Sequence, residues 1–403
     1  MIHMQVSSAD IKYLVGSEAV LNEMTTAPVL RAFSDEAVEF LSALSREILQ
    51  TANVREFVDV VSYAYWIRRA SLESARKDHI GYQNRLGRGI AFHIAPSNIP
   101  VNFAVSMTSS LLAGNCTVIR ISDKPFPQVD LLCNAINALL RDRFSNMQKY
   151  LCIIRYSHSA EITDMLSSVC DLRVIWGGNR SVSEIRKSPL PPRAIEMTFP
   201  DRYSLAVIDS EYYLSCDPAR IAKDFYTDTY FSDQNACSSP RLIVWLGKNK
   251  EEAKQRFWNE ISALAKQSYD LKPIQAVEKY MSVCMLGASG ISAHRIQSDN
   301  YVVRVALDSL TTQFMDYRSR SGLFFEYDAE KLEEIVPVLT KTCQTVSVLG
   351  VAKQAVKDIV FRYGVRGVDR IVTMGQTMGI EFYWDGFKMI DTMSRIVYAY
   401  ENE

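Results

Sequence analysis

The apolar positions of this chain change rhythm near residue 85. Before that point they recur at helical spacing. Ala37, Phe40, Leu41, Leu44 and Ile48 share one face of a predicted helix, with Ser34 placed to cap its start. Residues 54–75, rich in Tyr and Trp, read as a second helix, so the first ~85 residues are expected to be helical. Afterwards, short apolar runs at 89–94, 116–121, 151–155 and 172–176 alternate with helical stretches near 100–112, 129–143, 160–168 and from 181. Short β-branched runs separated by helices predict βαβ units and a parallel sheet covered on both faces. Ligands of such sheets bind beyond the carboxyl ends of the strands. Runs at 204–209, 241–246, 301–306, 322–327 and 344–348 extend the strand pattern, with no internal repeat or Pro/Gly-rich linker.

Composition narrows the picture. A chain of 403 residues is long for one core and suits two domains. With 48% hydrophobic and 23% charged residues it has the profile of a soluble globular enzyme, and a net charge of -1 points to neither a nucleic acid nor an anionic membrane. The opening MIHMQVSSAD has no basic segment followed by an apolar one, so no secretory leader is expected. No apolar stretch approaches the ~20 residues of a membrane-spanning helix. Eight cysteines are scattered without a C-x-x-C pair, which argues against zinc and reads as cytosolic thiols.

Four features could carry chemistry. Cys237 lies in Asp233-Gln234-Asn235-Ala236-Cys237-Ser238-Ser239-Pro240, flanked by predicted strands and by small residues that let an acyl carbon reach the sulfur. A thiolate attacks and leaves well in acyl transfer; the alternative is one more packing cysteine. None of the five histidines is near it in sequence. Asn98, in Ile94-Ala95-Pro96-Ser97-Asn98-Ile99-Pro100, follows a predicted strand, where its amide could donate to an oxyanion or simply form a turn. Glu196 precedes a predicted strand and could shuttle protons or be a solvated surface group. Trp176-Gly177-Gly178-Asn179 passes from strand to helix, suited to a pyrophosphate or to a tight turn, although it is not G-x-G-x-x-G.

Taken in order, these segments resemble the aldehyde dehydrogenase superfamily over about residues 90–245. Ile94 to Pro100 matches its I-x-P-x-N-x-P loop. Ala113-Gly114-Asn115, then Arg120-Ile121-Ser122-Asp123, match A-G-N and, loosely, K-P-S-E. Gly177-Gly178-Asn179 is similar to the T-G-S turn, and Glu196-Met197-Thr198-Phe199 to E-L-G-G with its general-base glutamate. The nucleophile loop G-Q-x-C is matched in part, because Gln234 and Cys237 are three apart. A narrower resemblance, through PLPPRAIEMTFPDRYSLAVID, FSDQNACSSPR and GVDRIVTMGQTMGIEFYWDG, is to the long-chain acyl-CoA reductase family of bacterial bioluminescence, and it reaches nearly the whole chain.

The resemblance implies an α/β chain of aldehyde dehydrogenase type. It would have two doubly wound domains, a Rossmann-like cofactor domain over 1–207 with its helical N-terminal segment and a catalytic domain over 208–375. Residues 376–403 would return to the cofactor domain or make an oligomer contact. It implies an NADPH-dependent reductase, cytoplasmic and homo-oligomeric, that takes an activated fatty acyl group from acyl-CoA or a partner acyl-protein synthetase and releases an aldehyde. Cys237 would hold the acyl thioester, Asn98 and the Cys237 N–H the oxyanion, and Glu196 the proton. Pro96, Ser97, Ser122, Gly177 and Gly178 would contact the cofactor, with Arg120 and Asp123 near the adenosine ribose. Asp123 would favour NADH; Arg120 and Lys124 pull the other way. The family's E-x-F-G-P glutamate has no counterpart except Glu326 in Leu323-Phe324-Phe325-Glu326. The rival readings are an aldehyde-oxidising dehydrogenase, a small acyl-phosphate reductase, and a non-catalytic scaffold of a ligase complex.

Overall fold

The change of rhythm near residue 85 marks the entry into a parallel sheet. A computed structural model of the chain describes residues 11–296 and 299–399; the opening decapeptide, on which the absence of a leader was argued, lies outside the described residues. Two units are present, one of residues 1–200 and 380–403, the other of 201–379.

In the first unit the predicted amphipathic helix is Asp35–Gln50. The Ser34 hydroxyl accepts from the Ala37 N–H, and Ala37, Phe40, Leu41, Leu44 and Ile48 are all buried. The single helix expected over 54–75 is instead a 3₁₀ turn, Val54–Glu56, and two helices, Val58–Trp66 and Arg69–Asp78. The chain turns at buried Ile67 and extended Arg68, which lets both pieces pack against Asp35–Gln50. A short strand, β1 (Lys12–Val15), also departs from the all-helical expectation. Its four residues carry too little alternation to be read from sequence.

The sheet continues with β2 (Ile90–Ile94), β3 (Cys116–Arg120), β4 (Leu151–Arg155), β5 (Leu172–Trp176) and β6 (Ile195–Phe199). Its order is β1-β4-β3-β2-β5-β6, parallel except for β1. The chain steps from β2 to β4 in one direction, then crosses to β5 on the other side of β2. The loops after β2 and β5 therefore lie at a topological switch point, where open α/β sheets take ligands. Residues 380–399 return to this unit. Phe382 packs on Trp66 with ring centroids 4.6 Å apart, and Ser394–Ile396 pairs with Arg85–Gly87.

The second unit holds β7 (Tyr203–Asp209), β8 (Pro240–Leu246), β9 (Ala293–Ile296), β10 (Val303–Leu307), β11 (Leu323–Asp328), β12 (Cys343–Leu349) and β13 (Arg370–Thr373). The order is β9-β10-β11-β8-β7-β12-β13, parallel except for β9. Leu205, Val207, Leu242 and Val244 enter one apolar cluster; Ala206, Ile208, Ile243 and Trp245 enter another. Alternate residues thus face opposite covered sides, as a doubly wound sheet requires. Because β7 is a central strand of this sheet, the chain leaves the first unit at Pro200, not at 207, and re-enters it at Ile380.

The described chain is thus a two-unit α/β protein, each unit built on its own mostly parallel sheet. Among the described residues, no helix is long and apolar enough to cross a membrane.

Candidate active site

The candidate nucleophile loop begins after the 3₁₀ turn Tyr230–Ser232. Asp233 and Gln234 follow with φ of 52° and 56°, a left-handed pair that costs about 1 kcal/mol per residue without glycine. Hydrogen bonds hold it there. The Gln234 side chain, fully buried, donates to the Pro240 and Leu323 carbonyls at 3.2 and 3.1 Å and accepts from the Gly322 N–H at 3.1 Å. Asp233 accepts from the Tyr269 hydroxyl at 2.7 Å. Gln234, recognised in sequence only as part of a motif, is the brace of the loop.

Cys237 sits at the amino end of β8, half-buried between buried Ala236 and buried Ser238. Its carbonyl accepts from the Ser204 hydroxyl at 2.7 Å, and its Sγ accepts from the Gln344 amide at 3.0 Å. Exposure separates it from most other thiols. Burial pushes Cys116, Cys133, Cys152, Cys170 and Cys343 up to about 12, so these stay protonated and inert. Cys216 and Cys284 remain accessible, but Cys216 donates to the Tyr212 carbonyl and Cys284 is exposed on the helix Pro273–Ala288. Arg241 supplies a cationic neighbour. Burial and Arg318 push its guanidinium down to about 10, while its interaction with Cys237 pulls the other way.

The remaining candidates belong to the first unit. Pro96, Ser97 and Asn98 follow the carboxyl end of β2, and Ser97 and Asn98 are exposed. Pro96 and Ser122 line a shallow cleft with Ile99, Phe103, Ile121 and Phe126. Asp123 is exposed beyond β3. Arg120 is turned aside: its guanidinium lies 5.4 Å from the Tyr156 ring centroid and donates to the Tyr156 carbonyl at 3.4 Å. Gly177 and Gly178 follow β5, and Gly178 starts the seven-residue helix Asn179–Ile185. The parallel register gathers all of these at one end of one sheet.

Glu196 departs from that grouping. It is the second residue of β6, level with Arg173 and Phe92, whereas Thr198 is level with Ile94 at the carboxyl end. Its Oε2 accepts from Arg173 at 2.9 and 2.5 Å and its Oε1 from Arg186 at 2.6 Å. Arg173 also donates to the Ser167 hydroxyl and the Ser188 carbonyl. The expected proton-handling group is thus committed to two guanidiniums inside an edge of the sheet. Glu196→Ala should lower stability by about 2–4 kcal/mol, because Arg173, 3% exposed, loses its counter-charge. Equilibrium denaturation measures this; an unchanged midpoint with a selective loss of turnover would return Glu196 to catalysis.

Glu326 is likewise engaged by its own unit. It is 2% exposed within β11 and bound to Arg304, Trp245 and Trp258, so its carboxylate is interior structure of the second unit. The sequence reading missed Gln344, Ser204 and Arg241. The available signal was a polar Gln-Thr pair opening the strand run at 344–348.

Comparison with known proteins bears on the fold and the family. The family model described as "Acyl-CoA reductase (LuxC)" matches residues 14–396. The long-chain acyl-protein thioester reductase of Vibrio harveyi is 22% identical over 303 residues, 73% of this chain and 60% of that protein. The same-named protein of Photorhabdus luminescens is 23% identical, again over 73% and 60%. The chain therefore spans about 60% of the length of these relatives. Among solved structures, a NAD-dependent benzaldehyde dehydrogenase from Corynebacterium glutamicum superposes with a TM-score of 0.62 at 12% identity, covering 94% of this chain and 86% of that one. A 3,6-anhydro-L-galactose dehydrogenase superposes with a TM-score of 0.61 at 11% identity, covering 97% and 96%. These likenesses establish the aldehyde dehydrogenase fold, and the match along residues 14–396 establishes the family: the chain belongs to the acyl-CoA reductase (LuxC) family.

Proposed function

We propose that this protein is an acyl reductase that carries a fatty acyl group as a thioester on Cys237 and releases it as an aldehyde. The half-buried Cys237 sulfur, under an amide donor and near a buried arginine, is the observation that carries the reading. The thiolate attacks the carbonyl of an acyl-CoA or acyl-protein thioester. A new carbon–sulfur bond forms, and the bond to the donor thiol breaks with that thiol leaving as the thiolate. After reduction at the carbonyl carbon, the Cys237–carbon bond breaks, and sulfur departs with the electron pair. A nicotinamide cofactor, when bound, supplies the hydride. For Asn98 we propose the carbonyl-oxygen donor role that the family resemblance implies.

The cleft at Pro96, Phe103 and Ser122 fits an adenosine moiety in chemistry: apolar walls, one hydroxyl, and a position beyond parallel strands. Gly177 and Gly178 would stand at the pyrophosphate. NADPH is proposed over NADH on the family resemblance, with Lys124 past the end of β3 as the cation that can turn toward a 2′-phosphate, while Arg120 ends β3 and is held on Tyr156.

The test is to incubate the protein with radiolabelled hexadecanoyl-CoA, first without cofactor and then with NADPH or NADH. A hydroxylamine-labile label that NADPH discharges as hexadecanal supports the reading. Absence of label, with brisk oxidation of aldehydes by NAD⁺ or NADP⁺, would replace it with a dehydrogenase.

A further inference from the structure

The second sheet is irregular at one level only among the pairs that flank β7, and that level faces Cys237. Between the pairs Cys343↔Tyr203 and Val346↔Leu205, β12 sets two residues, Gln344 and Thr345, against Ser204 alone. Between Ser204↔Pro240 and Leu205↔Leu242, β8 carries Arg241 as an extra residue. Extra residues are uncommon in parallel pairs, and a bulge re-aims the side chains on it. Both bulges lie at the amino ends of their strands, beside the nucleophile loop.

Their side chains converge on the cysteine. The Gln344 amide nitrogen stands 3.0 Å from Cys237 Sγ. Its orientation is set by the Thr345 hydroxyl, which donates to Gln344 Oε1 at 3.2 Å and so leaves the NH₂ end for sulfur. The Thr345 backbone N–H donates to the Ser204 hydroxyl at 3.2 Å, and that hydroxyl donates to the Cys237 carbonyl at 2.7 Å. The strand that carries Gln344 therefore grips Cys237 at two points, backbone and sulfur. From β8, Arg241 donates to the Gln234 carbonyl at 2.6 Å, which ties the loop on its other side. Gln344, Thr345 and Ser204 are all fully buried. A buried amide beside a sulfur is a fixed dipole that needs no reorganisation when charge develops there.

We infer that Gln344 is a catalytic residue of the Cys237 centre, donating an amide hydrogen bond to sulfur that favours the thiolate for attack and again when it is expelled. This rests on the thioester reading of Cys237. An amide N–H gains strength as its acceptor becomes anionic. Cys237 must be anionic twice per turnover, before the acyl group arrives and as the aldehyde leaves. Donor and sulfur belong to the same unit, so the contact is present before substrate binds. Arg241, itself beside Arg318, is a cationic neighbour of Cys237 that a substitution at 344 leaves in place.

The pH dependence of Cys237 alkylation by iodoacetamide, read peptide by peptide by mass spectrometry, tests the inference without substrate. Gln344→Met keeps length and removes the donor; Gln344→Glu keeps shape and places a carboxylate at the sulfur. Thermal unfolding checks that each is folded, and the methionine variant decides if the glutamate variant is not. The expected result is an upward shift of the alkylation midpoint by about one pH unit in Gln344→Met, with the rate at pH 7 falling about tenfold, and a larger shift in Gln344→Glu. Unmoved midpoints in the folded variants overturn the assignment. The two readings fail separately. Wild-type protein that takes no acyl label sinks the thioester on Cys237, whereas intact acyl labelling with an unmoved alkylation profile sinks Gln344 alone.

Discussion

Cys237→Ala is expected to lose acyl-CoA reduction by at least about 10³-fold and to take no hydroxylamine-labile label. The loss should fall on turnover, because the proposed thioester is a covalent step that no other group in the loop can perform. Asn235 and Ser238 are nearby in sequence, but an amide cannot form a thioester, and the Ser238 hydroxyl is buried against the Met378 sulfur at 3.8 Å. Cys237→Ser keeps a nucleophile of nearly the same size and should still lose most activity, since an alkoxide is a far poorer leaving group than a thiolate. Folding should change little in either variant. Cys237 is half-buried, and its backbone carbonyl, which accepts from Ser204, is retained. A label of wild-type strength in Cys237→Ala would move the nucleophile elsewhere. Cys216 and Cys284 are the thiols to test next, because burial holds Cys116, Cys133, Cys152, Cys170 and Cys343 protonated.

That Cys237 can be singled out at all depends on information of two kinds. The runs at 116–121, 151–155 and 172–176 were legible as strands because each is buried on both faces and bounded by turn residues. The parallel order followed from the intervening helices. Pro96, Ser122 and Gly177 were legible as post-strand residues because a parallel sheet sends every such loop to the same end; the cofactor role proposed for them comes from the family resemblance. The surroundings of Cys237 were not. Ser204 lies 33 residues away in sequence and Gln344 lies 107, and they meet it through bulges that shift side chains by one position. No spacing rule survives such a shift. The helix break at Ile67 was hidden for another reason: its residues have adequate helix propensity, and tertiary packing decides the turn.

Glutamates were the least legible residues, because a carboxylate in sequence carries no sign of its counter-charge. Glu196 and Glu326 both looked like site groups and both face arginines. For Glu326 the consequence is large: Glu326→Ala is expected to destabilise the second unit by about 3–5 kcal/mol. The carboxylate accepts from Arg304 at 2.6 and 3.2 Å, from Trp245 Nε1 at 3.0 Å and from Trp258 Nε1 at 2.8 Å. Removing it strands two indole donors and a guanidinium that is 14% exposed and lies 5.3 Å from the Trp258 ring centroid. A loss of that size lowers the midpoint of a unit of this length by ~10 °C, which differential scanning calorimetry resolves. The double variant Glu326→Leu with Arg304→Met should recover much of the loss, since replacing a buried ion pair by apolar groups costs far less than breaking it. Cofactor affinity separates the structural role from the ribose role suggested by the LFFE segment. If Glu326 held a ribose, Glu326→Ala would weaken NADPH binding while leaving the melting midpoint near wild type. With its four donors all supplied by the second unit itself, the opposite pattern is expected: a lower midpoint, and unchanged NADPH affinity in the fraction that remains folded.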